Sequence, residues 1–286
     1  MRLVFLLTAG YAIIEAIGGW LSGSLALVAD AGHMVSDAAA LLLALVAYRV
    51  AARAADATRT YGFHRVRVLA ALANGAALLL LVGWIVWEAI GRLHTPAGVL
   101  AGPMLVVAAI GLAVNIAGAL ILRGGHRGDS NLRGAFLHVL GDLLGSAGAI
   151  VAALVIIQTG WTPIDPILSV LVAALVVRSA WTLVSESIRV LLQAVPHGVD
   201  ARAAESDLAN LPGIAEAGHF HAWTLTDESS VATVHVTPAE GADPLALPAL
   251  VAARLRDRYA IDHVTVQVDA RGTMPACTEA VSPPTH

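Results

Sequence analysis

Six stretches of the chain are each long and apolar enough to cross a lipid bilayer, which takes about 20 residues. They cover Leu3–Trp20, Ser24–Ala47, Val66–Ile90, Met104–Leu122, Leu132–Ile157 and Pro166–Ser187. Only 13% of the 286 residues are charged, whereas an average soluble domain has about 25%. A soluble globule of this length could not cover its surface with so few charges. The sequence therefore predicts an α-helical membrane protein with six transmembrane helices.

The charge pattern changes after Val195. Residues 1–195 carry 12 Arg against nine acidic side chains, whereas residues 196–286 carry five Arg against 12. We therefore predict a six-span membrane domain over 1–195, a small α+β domain over 196–270 and a disordered tail over 271–286. The acidic balance of the last third argues against nucleic acid as a partner.

The α+β domain is predicted from five short patterns in the order αββαβ. They are a helix over Asp200–Leu211 with Asp200 as its N-cap, strands over His221–Thr226 and Val231–Thr237, a helix over Leu247–Tyr259 and a strand over Val264–Asp269. This order predicts a ferredoxin-like, metallochaperone-like fold.

The loops between the spans differ in their content of Arg. The connections after spans two and four are Arg-rich, with Arg49, Arg53, Arg59, Arg65, Arg67, Arg123, Arg127 and Arg133, whereas the alternate loops hold only Arg92. Because positive loops stay in the cytoplasm, we expect both termini to be cytoplasmic. We expect a multi-pass protein of the bacterial inner membrane.

Two spans carry the same pair of ionisable residues. His33 and Asp37 lie in span two, and His138 and Asp142 lie in span five. Residues four apart share one face of a helix. At about 1.5 Å per residue both pairs lie near the middle of the bilayer. Intramembrane ionisable groups are rare and usually functional, so two such pairs predict a site shared by the two helices.

Two imidazole nitrogens and two carboxylate oxygens form a tetrahedral ligand set that suits Zn²⁺. The absence of thiolate from the set disfavours Cu(I), and the few oxygens disfavour Ca²⁺ and Mg²⁺. Metal and protons compete for these four groups, which is a basis for metal/proton exchange. Asp30, on the same face as His33, is either a metal guide or a structural acid. For Glu15, Asn74 and Asn115 we expect interhelical hydrogen bonds.

Several motifs resemble those of the cation diffusion facilitator family, and most closely its zinc-transporting branch. They are Ser24–Asp37, Tyr61–Arg65, Leu69–Gly75, Arg133–Asp142, Asp165-Pro166 and His221–Thr226. The resemblance implies a homodimeric antiporter that exports zinc, or also cobalt or cadmium, in exchange for protons. It assigns the transport site to His33, Asp37, His138 and Asp142.

The resemblance also implies regulatory metal ions in the C-terminal domain. His221, His235 and Asp269 are the candidate ligands, with His219 as a further one, while Gln267 stands where some relatives have a ligating His. His64, in the loop after span two, is a candidate ligand at the site of metal entry.

Two other classes of protein remain open at this point. An intramembrane zinc enzyme would keep one coordination position free for water, whereas the four predicted ligands saturate the metal. A metal-sensing membrane receptor would bind metal in its C-terminal domain and would not need ionisable groups at the membrane midplane.

Overall fold

The computed structural model describes residues 2–123, 130–226 and 229–273, with the side chains of 2–6, 122–123, 130–138, 140 and 226 left undescribed. The elements in chain order are α1 (Arg2–Ser22), α2 (Leu25–Ala51), α3 (Val66–His94), α4 (Ala101–Arg123), α5 (Ser130–Thr159), α6 (Ile164–Leu191), α7 (Ala201–Ala209), β1 (Ile214–Thr226), β2 (Ser229–Pro238), α8 (Leu247–Tyr259) and β3 (His263–Val268). The predicted turn at 227–228 and most of the predicted tail, from 274 onward, lie outside the described residues.

The chain forms two compact units. One comprises Met1–Arg49 and Leu69–Ser185, and the other comprises Val50–Val68 and Glu186–His286. The loop between α2 and α3 thus groups with the C-terminal part of the chain. The predicted domain boundary at residue 195 stays a prediction.

Five helices are long and apolar enough to cross a membrane within the part of the chain that the structure describes. They are Leu25–Ala51, Val66–His94, Ala101–Ile121, Gly141–Thr159 and Ile164–Leu191. The prediction of a helical membrane protein is confirmed. α1 is a sixth long helix, and its role as the first span stays a prediction.

Small side chains allow the membrane helices to pack closely. Ala26 and Leu27 of α2 share a core with Met104 and Ala108 of α4 and with Ala149, Ala152, Ala153 and Ile156 of α5. A second core joins the start of α2 to α3 and α6. A Cβ atom at Gly75 would lie 2.8 Å from Val184, so glycine allows α3 and α6 to approach.

Asp165, at the start of α6, caps the start of α2. Its carboxylate is fully buried and accepts hydrogen bonds from the Ser24 hydroxyl at 2.6 Å, the Leu25 amide at 2.7 Å and the Ala26 amide at 3.2 Å. The first amides of a helix have no partner within the helix, and a carboxylate there also complements the helix dipole. Asp165 therefore fixes the N-terminus of α2, the helix that carries His33.

Replacing Asp165 with Ala is expected to lower the stability of the membrane unit by about 1–3 kcal/mol, because buried donors lose their acceptor. The thermal unfolding midpoint of the detergent-solubilised protein measures this loss. Ser185→Ala is the control, since this exposed hydroxyl bonds only to the Thr182 carbonyl of its own helix. Equal midpoints for the two variants would contradict the capping role.

The C-terminal domain has the predicted αββαβ order. Its sheet has the strand order β1-β2-β3, with β1 antiparallel to β2 and β2 parallel to β3. α7 and α8 complete a core that includes Leu208, Val234, Val251 and Leu255. Asp200 caps α7 as predicted, accepting hydrogen bonds from the Arg202 and Ala203 amides.

β1 begins at Ile214, seven residues earlier than the sequence predicts. The pairing of β1 with β2 is irregular between Ile214 and Glu216 and again between Gly218 and His221. His219 lies in the second irregularity with a φ of 52°. A bulge inserts an extra residue and breaks the alternation of side chains, which is why the pattern did not indicate this half of the strand.

Candidate metal centre

The α2 half of the candidate centre is a half-buried contact between a histidine and an aspartate in a membrane helix. His33 Nε2 lies 3.5 Å from Asp37 Oδ2, one helical turn away. The two side chains therefore point in a common direction, as their spacing predicts.

The α5 half contributes Asp142, whose side chain is only 4% exposed. The backbone of His138 lies in the same helix, one turn toward its N-terminus. The His138 side chain lies outside the described residues. A buried carboxylate in an apolar helix needs a compensating partner or cation.

Asp30 and Gly145 bring α2 and α5 into direct contact. A Cβ atom at Gly145 would lie 3.0 Å from Asp30 Oδ1, so the carboxylate packs against the bare backbone of α5. Ala26 of α2 packs in the same core as Ala149 and Ala152 of α5. Residue numbers thus rise along α2 as they fall along α5, which makes the two helices antiparallel.

The contact fixes the register of the two predicted motifs. His33 lies three residues after Asp30 in α2, and Asp142 lies three residues before Gly145 in α5. Because the helices are antiparallel, both lie about 4.5 Å from the contact in the same direction. The remaining two motif positions are each seven residues from the contact and stay on the same helical stripe. The backbones of the four positions therefore face one another in two levels.

The described side chains do not by themselves complete a metal site. Over residues 2–123, 130–226 and 229–273, wherever side chains are described, no three His, Cys, Asp or Glu groups are placed to hold a metal ion. His33, Asp37 and Asp142 are among the described side chains, so the structure does not bring these three together as ligands of one ion, and the fourth predicted ligand, His138, has no described side chain.

Polar side chains elsewhere in the membrane unit form the expected interhelical hydrogen bonds. Asn115 of α4 donates to the Ser146 hydroxyl of α5 at 3.2 Å, and the Ser36 hydroxyl of α2 donates to Asn74 of α3 at 3.4 Å. The sequence did not reveal that Asp30 pairs with Gly145. The signal for this contact in the sequence was a glycine three residues after Asp142.

Three imidazole rings form a cluster in the C-terminal domain. The ring centroid of His219 lies 4.7 Å from that of His221 and 4.9 Å from that of His235. His235 Nδ1 lies 2.7 Å from Asp269 Oδ2. The fold thus gathers all four predicted residues, and the bulge at His219 turns its ring toward His235.

Asp269 already has polar partners on both oxygens. The Gln267 amide donates to its Oδ1 at 2.8 Å, and His235 contacts Oδ2. The Gln267 amide, followed by His235, lowers the pKa of Asp269 below its ordinary value. Asp269 therefore stays ionised to a lower pH than an ordinary aspartate does.

His64 lies exposed in the loop between α2 and α3. This loop also has a closed turn, in which Asp56 Oδ1 accepts hydrogen bonds from the Thr58 hydroxyl at 2.7 Å and from the Thr58 and Arg59 amides. The Thr58 hydroxyl is the largest cause that lowers the pKa of Asp56 to about 2.

Replacing Thr58 with Val is expected to raise the pKa of Asp56 from about 2 toward its ordinary value. A lowered carboxyl pKa stabilises the folded turn above the ordinary pKa, and this contribution is lost as pH falls toward the lowered value. The carboxyl carbon shift of isotopically labelled protein reports the titration. Thr60→Val is the control, and an unchanged pKa in Thr58→Val would contradict the assignment.

Comparison with known proteins places these features in a family. The cation efflux transmembrane domain matches residues 1–192, which include α1 to α6. A zinc transporter, ZitB, of Pectobacterium atrosepticum is 46% identical over 93% of this chain and 83% of its own length. ZitB of Escherichia coli K12 is 44% identical over 93% of this chain and 85% of its own length.

A more distant relative carries a name with a wider range of metals. The cadmium, cobalt and zinc/H(+)-K(+) antiporter of Bacillus subtilis is 42% identical over 81% of this chain and 75% of its own length. The helices, the family match and the relatives agree with the resemblance in the membrane motifs. The chain belongs to the cation diffusion facilitator family, whose members share the cation efflux transmembrane domain.

Proposed function

We propose that the protein exports Zn²⁺ from the cytoplasm in exchange for protons. The transport site consists of His33, Asp37, His138 and Asp142, and it opens to each side of the membrane in turn. The names of the relatives support zinc as the cargo, and the antiporter name supports coupling to protons.

The observation that carries this proposal is the register set by Asp30 and Gly145. It aligns the levels of two identical His/Asp pairs on antiparallel helices. A structural pair that only held helices together would not need the same residues in the same order on both helices. Two imidazoles and two carboxylates would neutralise the charge of Zn²⁺ in an apolar setting.

Competition for the ligands supplies the coupling. A ligating imidazole must be neutral and a ligating carboxylate must be ionised, so binding of metal releases protons. When the metal leaves, the two carboxylates lose the cation that compensates their charge, and protons replace it. Each transport cycle then moves metal one way and protons the other.

The Arg-rich loops after α2 and α4 support a cytoplasmic location for both termini in a bacterial inner membrane. The acidic C-terminal domain then lies on the side from which Zn²⁺ is loaded. We infer that the protein works as a homodimer, as the family resemblance implies.

We also propose that the C-terminal imidazole cluster binds a regulatory metal ion once its side chains rearrange, since no three of them are placed to hold an ion as they stand. His219, His221, His235 and Asp269 lie together, while Gln267 already satisfies one Asp269 oxygen. A regulatory ion would have to replace the His235–Asp269 contact. We also propose His64 as a ligand at the entry side.

Zinc flux into vesicles that contain the purified protein tests the proposed function. We expect flux that depends on an imposed pH gradient and that is reversed when the gradient is reversed. Parallel runs with Co²⁺, Cd²⁺ and Mn²⁺ define the selectivity. Vesicles that move no metal under either gradient would contradict the proposal. A zinc-dependent reaction catalysed by protein that moves no zinc would favour a zinc enzyme.

A further inference from the structure

A second pair of carboxyl groups lies in the membrane unit outside the four predicted ligands. Glu15 of α1 is fully buried, and the Tyr11 hydroxyl donates to its Oε1 at 2.9 Å. Its Oε2 is also buried and accepts no hydrogen bond from any donor in the described part of the chain. An ionised carboxylate in this position would have an unsatisfied oxygen in an apolar interior.

The carboxyl group of Asp30 is the neighbour of Glu15 across the helix interface. Contacts on either side, of Gly19 with Val28 and of Ala12 with Met34, place the two carboxyls level across the interface, where they act on each other. Asp30 is only 5% exposed, and it is pressed against Gly145 on its other side. Two ionised carboxylates have only acceptor atoms, so a hydrogen bond between them requires a proton on one of the two.

The described titratable groups around the pair come from α1, α2 and α5. Tyr11 on α1 faces Glu15 and also lies 3.2 Å from the Val107 carbonyl oxygen of α4. Asp142 on α5 is the further charge that acts on both carboxyls. α4, which packs against α1, has no titratable side chain over residues 101–121. Among the described side chains of these helices and of α2, His33 is the one within a turn of Asp30 that can carry a positive charge, and it contacts another carboxylate of its own helix.

We propose that Glu15 and Asp30 share one proton and form a proton-binding site that responds to the occupancy of the transport site. Adjacent carboxyls do not both ionise, and in the proposed site a single proton lies between their oxygens when no metal is bound. Metal at the transport site brings positive charge close to the pair. The proton then leaves, and the pair carries two negative charges until the metal departs.

This inference rests on the proposed function for its coupling step only. The shared proton itself follows from the burial and proximity of the two carboxyls. The site adds one proton to those exchanged at the transport site, and it links α1 to the movement of α2 against α5.

Infrared spectroscopy of the full-length protein in detergent tests the proposal. A protonated carboxyl has a C=O stretching band that is distinct from carboxylate and shifts in D₂O. We expect Glu15→Gln and Asp30→Asn each to remove the band of the shared proton from metal-free protein and to replace it with a band at another frequency, because the remaining buried carboxyl keeps a proton. The double variant should show neither the shared band nor its replacement, because no carboxyl of the pair remains.

Addition of Zn²⁺ to the wild type should remove the same band. Glu88→Gln is the control variant, because Glu88 pairs with Arg92 and should leave the band unchanged. Single variants that remove two separate bands, or none, would overturn the shared proton. A band of the pair that persists with Zn²⁺ would overturn the coupling.

Tyr11→Phe gives a second test that keeps both carboxyls. Loss of the hydroxyl should shift the frequency of the band without removing it, and an unchanged band would count against the proposal. Zinc flux by the same samples separates the two hypotheses. If the wild type moves no zinc but the variants lose the common band, the proposed function fails and the shared proton stands.

Discussion

Asp142→Asn is expected to reduce zinc flux by more than about 10–100-fold, the loss that follows when even an outer partner of a metal ligand is removed. Asp142 is buried, and its amide replacement has nearly the same shape. The variant therefore removes one negative charge and one anionic ligand while it keeps the packing of α5. Asp37→Asn should have the same effect from the other helix.

Flux in vesicles under a fixed pH gradient measures this loss. Glu88→Gln is the matched control, since it also removes a carboxylate from a membrane helix, at the Arg92 ion pair. The control should retain most of the flux. If Asp142→Asn and Asp37→Asn transport zinc as fast as the control does, the four-residue site is wrong.

Gly145→Val is expected to lower zinc flux by about tenfold or more. A Cβ at this position would lie 3.0 to 3.2 Å from all three atoms of the Asp30 carboxylate, and the carboxylate is buried. Overpacking of this kind typically costs about 1–3 kcal/mol. α2 and α5 must then separate or slide, which moves the two His/Asp pairs apart.

Gly148→Val is the matched control for this variant. Gly148 lies one turn further along α5, and a Cβ there meets nothing within 4 Å. The control should show flux close to that of the wild type. Equal flux for the two valine variants would mean that close contact between α2 and α5 does not position the site.

The helices and the motif could be predicted from the sequence because both follow from local rules. Long apolar stretches predict membrane helices, and a spacing of four residues places His33 and Asp37 on one face. The observed helices extend beyond the apolar stretches, as α2 does to Ala51. The backbone hydrogen bonds of a helix can continue beyond its apolar stretch. Polar residues such as Arg49 therefore lie within the last turns of α2.

The contacts between helices could not be predicted in the same way. Glu15, Asp30 and Gly145 lie on three helices, and nothing in their local sequence reveals that they meet. The irregular first half of β1 was missed for a related reason, since His219 adopts a positive φ that breaks the alternating pattern. Packing and bulges depend on partners that are distant in the chain.

X-ray absorption at the zinc edge tests the central claim most directly. The sample is zinc-loaded full-length protein in which His219, His221 and His235 are replaced by Ala, so that the C-terminal cluster does not contribute. We predict one zinc with four N or O ligands at about 2.0–2.2 Å, two of them imidazoles, and no sulfur. Asp142→Asn in the same background should lose this zinc. A spectrum with a single imidazole, or one that Asp142→Asn leaves unchanged, would contradict a metal site shared by α2 and α5.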